Sequence, residues 1–420
     1  MYKLHICRHV LSMLGSYLMY STGYLDYIHF IKNVANHLAE INIFYVKFFQ
    51  WFAFSIGHKL KNKEIYDFFI NFKDNVNYTE TDIDYESIYQ LMDEVKREHK
   101  VITFDSMTPI NSGSVALVFK AILNDKPVVV KLLRKNIEIQ INEWFEQGHM
   151  IINIMRWLRI KNCNHLHKLL DHNKPTITEQ CDFVKEVENI ERFYNKFRKT
   201  KYVIIPKVYR EYTIRNPRVI VMDYIQGERL GTFDKNDFIQ FQKLCYTFIT
   251  TCCFFRDICH GDLHTGNIIF VKNTNTNTNK PIYKIGVIDY GICVNLNVIE
   301  QNLIANLMRA SLQNDKQSVI FHLLNFIMMD NENSTMMKEQ RDEIVEHYNS
   351  LVAKQNLNST ITHYEVYVLT TMLDSHDIHI SQKSSQIIYA AVSLLDTLHE
   401  LEQTHSTNYP IINILFKNKK

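Results

Sequence analysis

Residues 127–133 read PVVVKLL, a β-branched run with one lysine, and the two-residue period of a strand sets Lys131 on the face opposite Val130 and Leu132. A strand is predicted there. It follows a small-residue turn that itself enters a strand, NSGSVALVFKA at 111–121. Further strands are predicted at 219–225 (VIVMDYI), 268–271 and 283–288. The last two flank the polar repeat NTNTNTN of 273–279, which reads as a lengthened hairpin tip without chemistry. Helical spacing recurs in Trp144, Phe145, Ile151, Ile154, Met155 and Leu158, and again beyond residue 297 in Leu303, Leu307, Leu312, Ile320, Leu323, Leu324 and Ile327. Such stripes mean core more often than a cofactor box. Two N-terminal apolar stretches, 10–25 and 41–56, are too short or too interrupted by polar residues to span a membrane and are expected as helices. The only charges before Asp26 are Lys3 and Arg8. This acid-poor start fits an ordinary packed helix, with a mitochondrial presequence as the second reading.

Composition bounds the answer without choosing it. With 420 residues and 46% hydrophobic content the chain can bury a large core, in two lobes plus an extension. A formal charge of +2, with basic residues scattered, argues against a nucleic-acid partner. The eight cysteines form no C-x-x-C pair and no clear secretory signal precedes them, so they read as reduced, mostly buried thiols. Of only 11 glycines, Gly113, Gly227, Gly261, Gly266 and Gly291 fall at expected turns, where the backbone must bend sharply or approach a phosphate.

The chemistry is concentrated in two segments. Residues 260–267 read HGDLHTGN, and 22 residues after Asn267 comes Asp289 of VIDYG. Moving a γ-phosphoryl group needs an acid to orient the incoming hydroxyl, and an amide plus a carboxylate to hold Mg²⁺ on the phosphates. Asp262, Asn267 and Asp289 fit those roles, in the order of a kinase catalytic loop and metal-binding triplet. Upstream, Lys131 suits the strand lysine that reaches the α- and β-phosphates. The turn at Ser112, Gly113 and Ser114 offers backbone N–H groups to phosphate, in a stiffer form than a G-x-G-x-x-G loop.

Together these linked segments resemble the UbiB or aarF-domain family of atypical kinases, related to the ADCK proteins that support coenzyme Q biosynthesis. The resemblance runs from about Phe44 to about Leu296. It implies an α+β, two-lobed protein kinase-like fold: an N-terminal helical extension (1–98), an N-lobe (99–225) with a helical insert (136–180), and a mostly helical C-lobe (226–420). Residues 179–193, EQCDFVKEVENIERF, resemble the family's E-C-D-Y-x-x-E-A helix and make Glu186 the implied partner of Lys131. Lys47-Phe48-Phe49-Gln50 resembles the K-x-G-Q hallmark, and NFKDNV at 71–76 its L-Q-D-N-V. This segment is implied to fold over the nucleotide site, with Lys47, Gln50, Gln180 and Asp182 as gating residues. The chain departs from the family pattern: Phe49 replaces the glycine, Gln180 replaces the first acid of E-x-D while Asp182 keeps the second, Asn111 and Ser112 replace alanines, and Leu117 falls where Gln is usual. Residues 219–228 resemble the strand and hinge where an adenine edge meets the backbone around Asp223 and Tyr224.

A kinase usually carries lysine two residues after the catalytic Asp, and this chain has His264, as small-molecule phosphotransferases do. His260 reads as a brace for backbone rather than as a catalytic group. No A-P-E signature follows, so a typical activation segment is not expected. The resemblance implies ATP and Mg²⁺ as ligands and an atypical kinase or ATPase acting on lipid or quinone-pathway components at a membrane. A small-molecule phosphotransferase and a nucleotide-binding pseudokinase scaffold are the alternatives. Acceptor, oligomeric state and an intracellular compartment, membrane-associated or mitochondrial, stay open at this level.

Overall fold

The computed structural model describes residues 2–42, 44–45, 78–157, 177–229, 233–255, 257–274, 279–313, 315–329 and 381–403, together with 64, 68, 167, 170–171, 174–175, 276, 342–347, 350 and 373. In chain order the elements are α1 (Tyr2–Ser21), α2 (Tyr27–Ile41), α3 (Tyr85–Arg97), β1 (Ile102–Phe104), β2 (Asn111–Ser112), β3 (Ala116–Leu123), β4 (Lys126–Leu133), α4 (Ile137–Trp157), α5 (Phe183–Phe197), β5 (Val203–Ile204), α6 (Arg210–Arg215) and β6 (Val219–Asp223). There follow α7 (Lys235–Phe255), β7 (Ile258–His260), β8 (Ile268–Thr274), β9 (Pro281–Val287), β10 (Cys293–Asn295), α8 (Val298–Leu312), α9 (Lys316–Met329) and α10 (Gln382–Gln403). Two compact units result: Met1–Val184 with Tyr209–Met222, and Lys185–Val208 with Asp223–Lys420.

The first unit is built on a sheet in the order β1-β3-β4-β6, with β2 paired to β3. Its long hairpin β3–β4 turns through Asn124 and Asp125, whose φ values of 45° and 65° are those of a two-residue type I′ turn. Val128, Val130 and Leu132 of β4 and Leu117, Phe119 and Ala121 of β3 pack against Ile88, Leu91 and Val95 of α3. Each large aliphatic side chain buried here contributes about 1.5–3 kcal/mol. Helix α3 begins where Asp84 accepts the Ser87 N–H (3.3 Å), and the same carboxylate pairs with Arg218 (2.7 Å). One aspartate thus caps the helix and ties it to the turn before β6.

N-terminal to α3, the end of α2 docks on α4. Asn42 Nδ2 donates to the Gln140 carbonyl (2.9 Å), and Phe44 and Tyr45 pack on Trp144. Trp144 and Phe145 are buried, as their spacing predicts, whereas Trp157 is 81% exposed. The side chains of Ile151, Ile154 and Met155, and Leu158 itself, lie outside the described residues, as does most of 46–77. Helix α1 forms, but Leu11, Leu14 and Leu18 on it are more than half exposed, so it is not the fully packed helix expected. Among the described residues no helix is long and apolar enough to cross a membrane.

In the second unit β8 and β9 form the expected hairpin, with β5 added parallel to β9, and β7 pairs antiparallel with β10. The β8–β9 ladder continues to Thr274↔Pro281, past the apolar runs and into the polar repeat. Ladder hydrogen bonds are made by backbone, so hydrophobicity marks the covered part of such a hairpin and not its length. Helix α7 covers it: the Phe241 ring packs tilted on Phe270 (4.5 Å), Tyr283 Oη donates to Asp237 (2.5 Å), and Lys272 pairs with the same carboxylate.

Gly261, Gly266 and Gly291 fall at turns or bends, as expected. Among the described residues only Gly23 has a positive φ. Gly227 and Gly261 are required by close approach: an added Cβ would lie 2.5 Å from the Phe270 carbonyl oxygen in the first case, and 2.5 Å from Ile292 Cγ2 in the second.

Candidate active site

The short strand β7 delivers His260 into the interior, and the chain then turns through Asp262 into a single 3₁₀ turn at Thr265–Asn267. Three bonds set this loop. The Asp262 N–H donates to His260 Nδ1 (3.2 Å), the Gly266 N–H donates to His264 Nδ1 (3.2 Å), and the Asn267 side-chain amide donates to the Asp262 carbonyl (2.9 Å). From behind, Thr397 and Ser393 of α10 hold the carbonyl of buried Leu263 through their hydroxyls. Asp262 is half-buried.

His260 is therefore the expected brace. Burial pushes its pKa down, while the carboxylates of Asp262 and Asp289 and the carbonyls of Asp289 and Ile288 pull the other way. Because Nδ1 accepts, the ring proton of the neutral form sits on Nε2, which has no partner of good hydrogen-bond geometry. His264, expected where a lysine would meet the transferring phosphoryl group, uses Nδ1 to cap the 3₁₀ turn. Its first task is to shape the loop.

The Asp289–Gly291 triplet, expected to bind metal, is placed by the strand that precedes it. The Ile288 N–H donates to the Asn267 carbonyl (3.0 Å), so the loop and the triplet are tied at backbone level. Asp289 is exposed and sits at φ 61°, a left-handed conformation uncommon for a residue with a Cβ. Its Oδ1 accepts the Gly291 N–H (3.2 Å). Tyr290 beside it is fully buried: its hydroxyl donates to the Val287 carbonyl (2.9 Å), and its ring packs on Phe193 (5.0 Å) and His260 (5.3 Å).

Helix α5 grips the same residue from both sides. Glu186, buried, accepts the Tyr290 N–H (3.3 Å), and Asn189, one turn along, donates to the Tyr290 carbonyl (3.0 Å). The second unit thus brings together Asp262, Asn267, Asp289 and Glu186. Asn189 and Tyr290 were not singled out in sequence, although the spacing of Glu186 and Asn189 on one helix face is a signal for them. At Cys293, two residues past Gly291, burial foremost, with the carboxylates of Glu186 and Asp289, pushes the thiol well above the ordinary range.

Lys131 belongs to the first unit. It is buried on β4, opposite Val118 of β3, with Nζ 5.5 Å from the centre of the Phe183 ring. The turn after β2 is tighter than a phosphate-cradling loop, since the Gly113 N–H donates to the Ala116 carbonyl (2.9 Å). Arg134, which sequence reasoning missed, anchors this turn from a site 1% exposed. It donates to the Gly113 carbonyl (2.9 Å) and the Ser112 hydroxyl (2.8 Å) and pairs with Asp82 (3.1 Å). Ser114 follows Gly113 within the turn.

Asp223 ends β6, its N–H bonded to the Lys207 carbonyl (2.9 Å), and Tyr224 follows, half-buried. Gln180 and Asp182 lie in the turn before α5, Asp182 exposed. Lys47 and Gln50 lie outside the described residues.

Residues 75–323 match the model of the ABC1 atypical kinase-like domain. The chain belongs to the ABC1 atypical kinase-like family. It shares with that family a two-lobed α+β kinase-like fold, and similar proteins are named as kinases of the AarF-domain and UbiB kind. It is 26% identical over 227 residues to the AarF domain-containing kinase 1 of Drosophila melanogaster, covering 52% of this chain and 42% of that one. Against the probable protein kinase UbiB of Cellvibrio japonicus it is 25% identical over 224 residues, 51% of this chain and 39% of that one. The chain therefore spans about two fifths of the length of these relatives. Among solved structures, the Rio2 kinase–ADP/Mg²⁺–phosphoaspartate complex from Chaetomium thermophilum overlays with a TM-score of 0.34 at 13% identity, over 84% of this chain and 96% of that one. An overlap that loose adds nothing to the assignment. The K-x-G-Q-like residues 47–50 lie outside the matched range.

Proposed function

We propose that this ABC1-family chain binds Mg-ATP and transfers or hydrolyses its γ-phosphoryl group as an atypical kinase or ATPase, acting near a membrane on lipid or quinone-pathway components. One observation carries the reading: Asp262, Asn267 and Asp289 are joined by a short chain of hydrogen bonds, through the Asp262 carbonyl and the Ile288 N–H. The donor set suits the metal. Asn267 uses its nitrogen on Asp262, which leaves Oδ1 as the ligand end, and Asp289 adds a carboxylate; hard oxygen donors of this kind select Mg²⁺. Bound there, Mg²⁺ would neutralise charge on the phosphates.

Asp262 takes the proton of the acceptor, water or hydroxyl, and is oriented by the His260 ring behind its backbone. Lys131 supplies the cation for the α- and β-phosphates. The backbone around Asp223 and Tyr224 meets the adenine edge. Asp289→Asn is expected to lose the thermal stabilisation that ATP gives in the presence of Mg²⁺ while keeping the unliganded midpoint. Unchanged stabilisation in that variant overturns the proposal. ATP hydrolysis with and without anionic liposomes tests the membrane part, which stimulation supports and indifference sinks. A small-molecule phosphotransferase is the second reading, favoured by His264 where a protein kinase has lysine; choline- or aminoglycoside-like acceptors would then raise turnover.

A further inference from the structure

Away from the nucleotide motifs, three metal-ligand side chains meet where α4 passes the helical residues that follow it. His149 Nε2 lies 3.1 Å from Asp171 Oδ1, and His167 Nδ1 lies 3.0 Å from Asp171 Oδ2. The two imidazole rings are 4.6 Å apart, and one ligand atom from each residue falls within 4.8 Å of the others. His167 and Asp171 are one helical turn apart and so share a face. Gly148, next to His149, is what lets the segments approach: a Cβ there would sit 2.7 Å from Leu170 Cδ2.

We propose that His149, His167 and Asp171 bind a nitrogen-preferring divalent cation of the zinc class, which pins α4 to the segment carrying His167 and Asp171. Zinc–nitrogen and zinc–oxygen bonds of about 2.0–2.2 Å at tetrahedral angles put ligand atoms roughly 3.3 Å apart. The two N···O separations, made to different oxygens of the one carboxylate, are 3.1 and 3.0 Å. Two imidazoles with one carboxylate suit zinc and its neighbours better than magnesium. Side chains between a third and a half exposed leave an entry path and a place for a water ligand.

The competing explanation is an ion-paired His-Asp-His cluster. Direct contact of the rings with Asp171 leaves His149 Nδ1 buried without a hydrogen-bond partner. Metal binding leaves it so as well, but returns three coordinate bonds.

A second cluster, His9, His37 and Glu40 on α1 and α2, serves as an internal control, with the two Nδ1 atoms 3.1 Å apart. Isothermal titration of the chelator-treated full chain with zinc chloride, in excess Mg²⁺, tests the assignment. Zinc is expected to bind with a Kd raised at least tenfold by His167→Ala and by Asp171→Asn, and unchanged by His37→Ala. Cobalt(II) in place of zinc should give ligand-field absorption that the first two variants abolish. His149→Gln and His167→Gln stand in if the alanine variant fails to fold, with far-UV circular dichroism as the check. No zinc binding in excess Mg²⁺, binding unaltered by the His167 and Asp171 changes, or binding removed by His37→Ala each overturns the proposal.

Discussion

Replacing Arg134 by alanine isolates the buried guanidinium that holds the turn after β2. The change removes donors from the Gly113 carbonyl and the Ser112 hydroxyl and strips Asp82 of its counter-charge. Asp82 keeps the Thr79 N–H at 2.8 Å and is a fifth exposed, so water can reach it. Breaking a buried pair from one side costs about 3–5 kcal/mol, and partial solvation of the partner sets the expectation near ~3 kcal/mol. All three tryptophans, Trp51, Trp144 and Trp157, fall in the first unit, so tryptophan fluorescence follows its unfolding alone. With a urea m-value of about 2 kcal/mol/M, the midpoint should fall by roughly 1.5 M. Arg134→Lys keeps the charge without the fork and should lie between the two. Asp82→Asn combined with Arg134→Met should recover part of the loss, because no unpaired charge remains. A loss under ~1 kcal/mol in Arg134→Ala would refute the reasoning, since the turn would then be held by its own backbone.

Glu98 accepts from Lys100, Arg215 and Tyr212, and these bonds, the Lys100 one foremost, hold its carboxyl down at about 2. A depressed carboxylate contributes stability above its unfolded pKa and loses it as pH falls. Glu98→Gln should therefore destabilise the first unit at pH 7, and the gap to wild type should close between about 4.5 and 2; a gap independent of pH rejects this. Gly227→Ala would drive a Cβ against the Phe270 carbonyl, which already accepts the Glu228 N–H (2.9 Å). Overpacking of this kind costs about 1–3 kcal/mol, read as a lower thermal midpoint, and an unchanged midpoint counts against a rigid approach there. Tyr290→Ala empties a fully buried ring site and should cost about 3–5 kcal/mol, with amide exchange at 288–291 rising sharply; protection kept at those amides rejects its anchoring role.

The parts of this chain legible in sequence are those where chemistry restricts spacing. Asp262, Asn267 and Asp289 could be named because amide and carboxylate ligands must follow the loop and the strand in a fixed order. The strand at Lys131 was legible because a lone lysine in PVVVKLL breaks an otherwise apolar run. Arg134 was not, since its partner Asp82 lies 52 residues upstream and nothing local distinguishes a buried arginine from a surface one. The capping role of His264 was not legible either: residue type set it apart from a kinase lysine, while the ring's bond to the Gly266 N–H depends on loop geometry. Glycine was read as a source of backbone freedom, yet Gly227 and Gly261 answer to neighbours distant in sequence. Helix α1 was legible as a helix, but exposure of its leucines depends on what packs against it, which periodicity does not record.

The strained aspartate and the buried tyrosine next to it are one device. A non-glycine residue held at φ 61° costs on the order of 1–3 kcal/mol and persists only if its flanks are over-determined. On one side Ile288 is bonded to the Asn267 carbonyl; on the other, Tyr290 has its N–H, carbonyl and hydroxyl all engaged and its ring enclosed. Burial of that ring alone offsets the strain. The tyrosine hydroxyl, which would otherwise be costly in such a place, finds its acceptor three residues back at Val287, so an aromatic with a polar tip is tolerated where a purely apolar one would also fit. Glu186 reaches into the same knot through the Tyr290 N–H. A residue expected to steady a lysine therefore also sets the backbone on which the Asp289 carboxylate is carried, and the posture of Asp289 is coupled to helix α5 through Glu186 and Asn189.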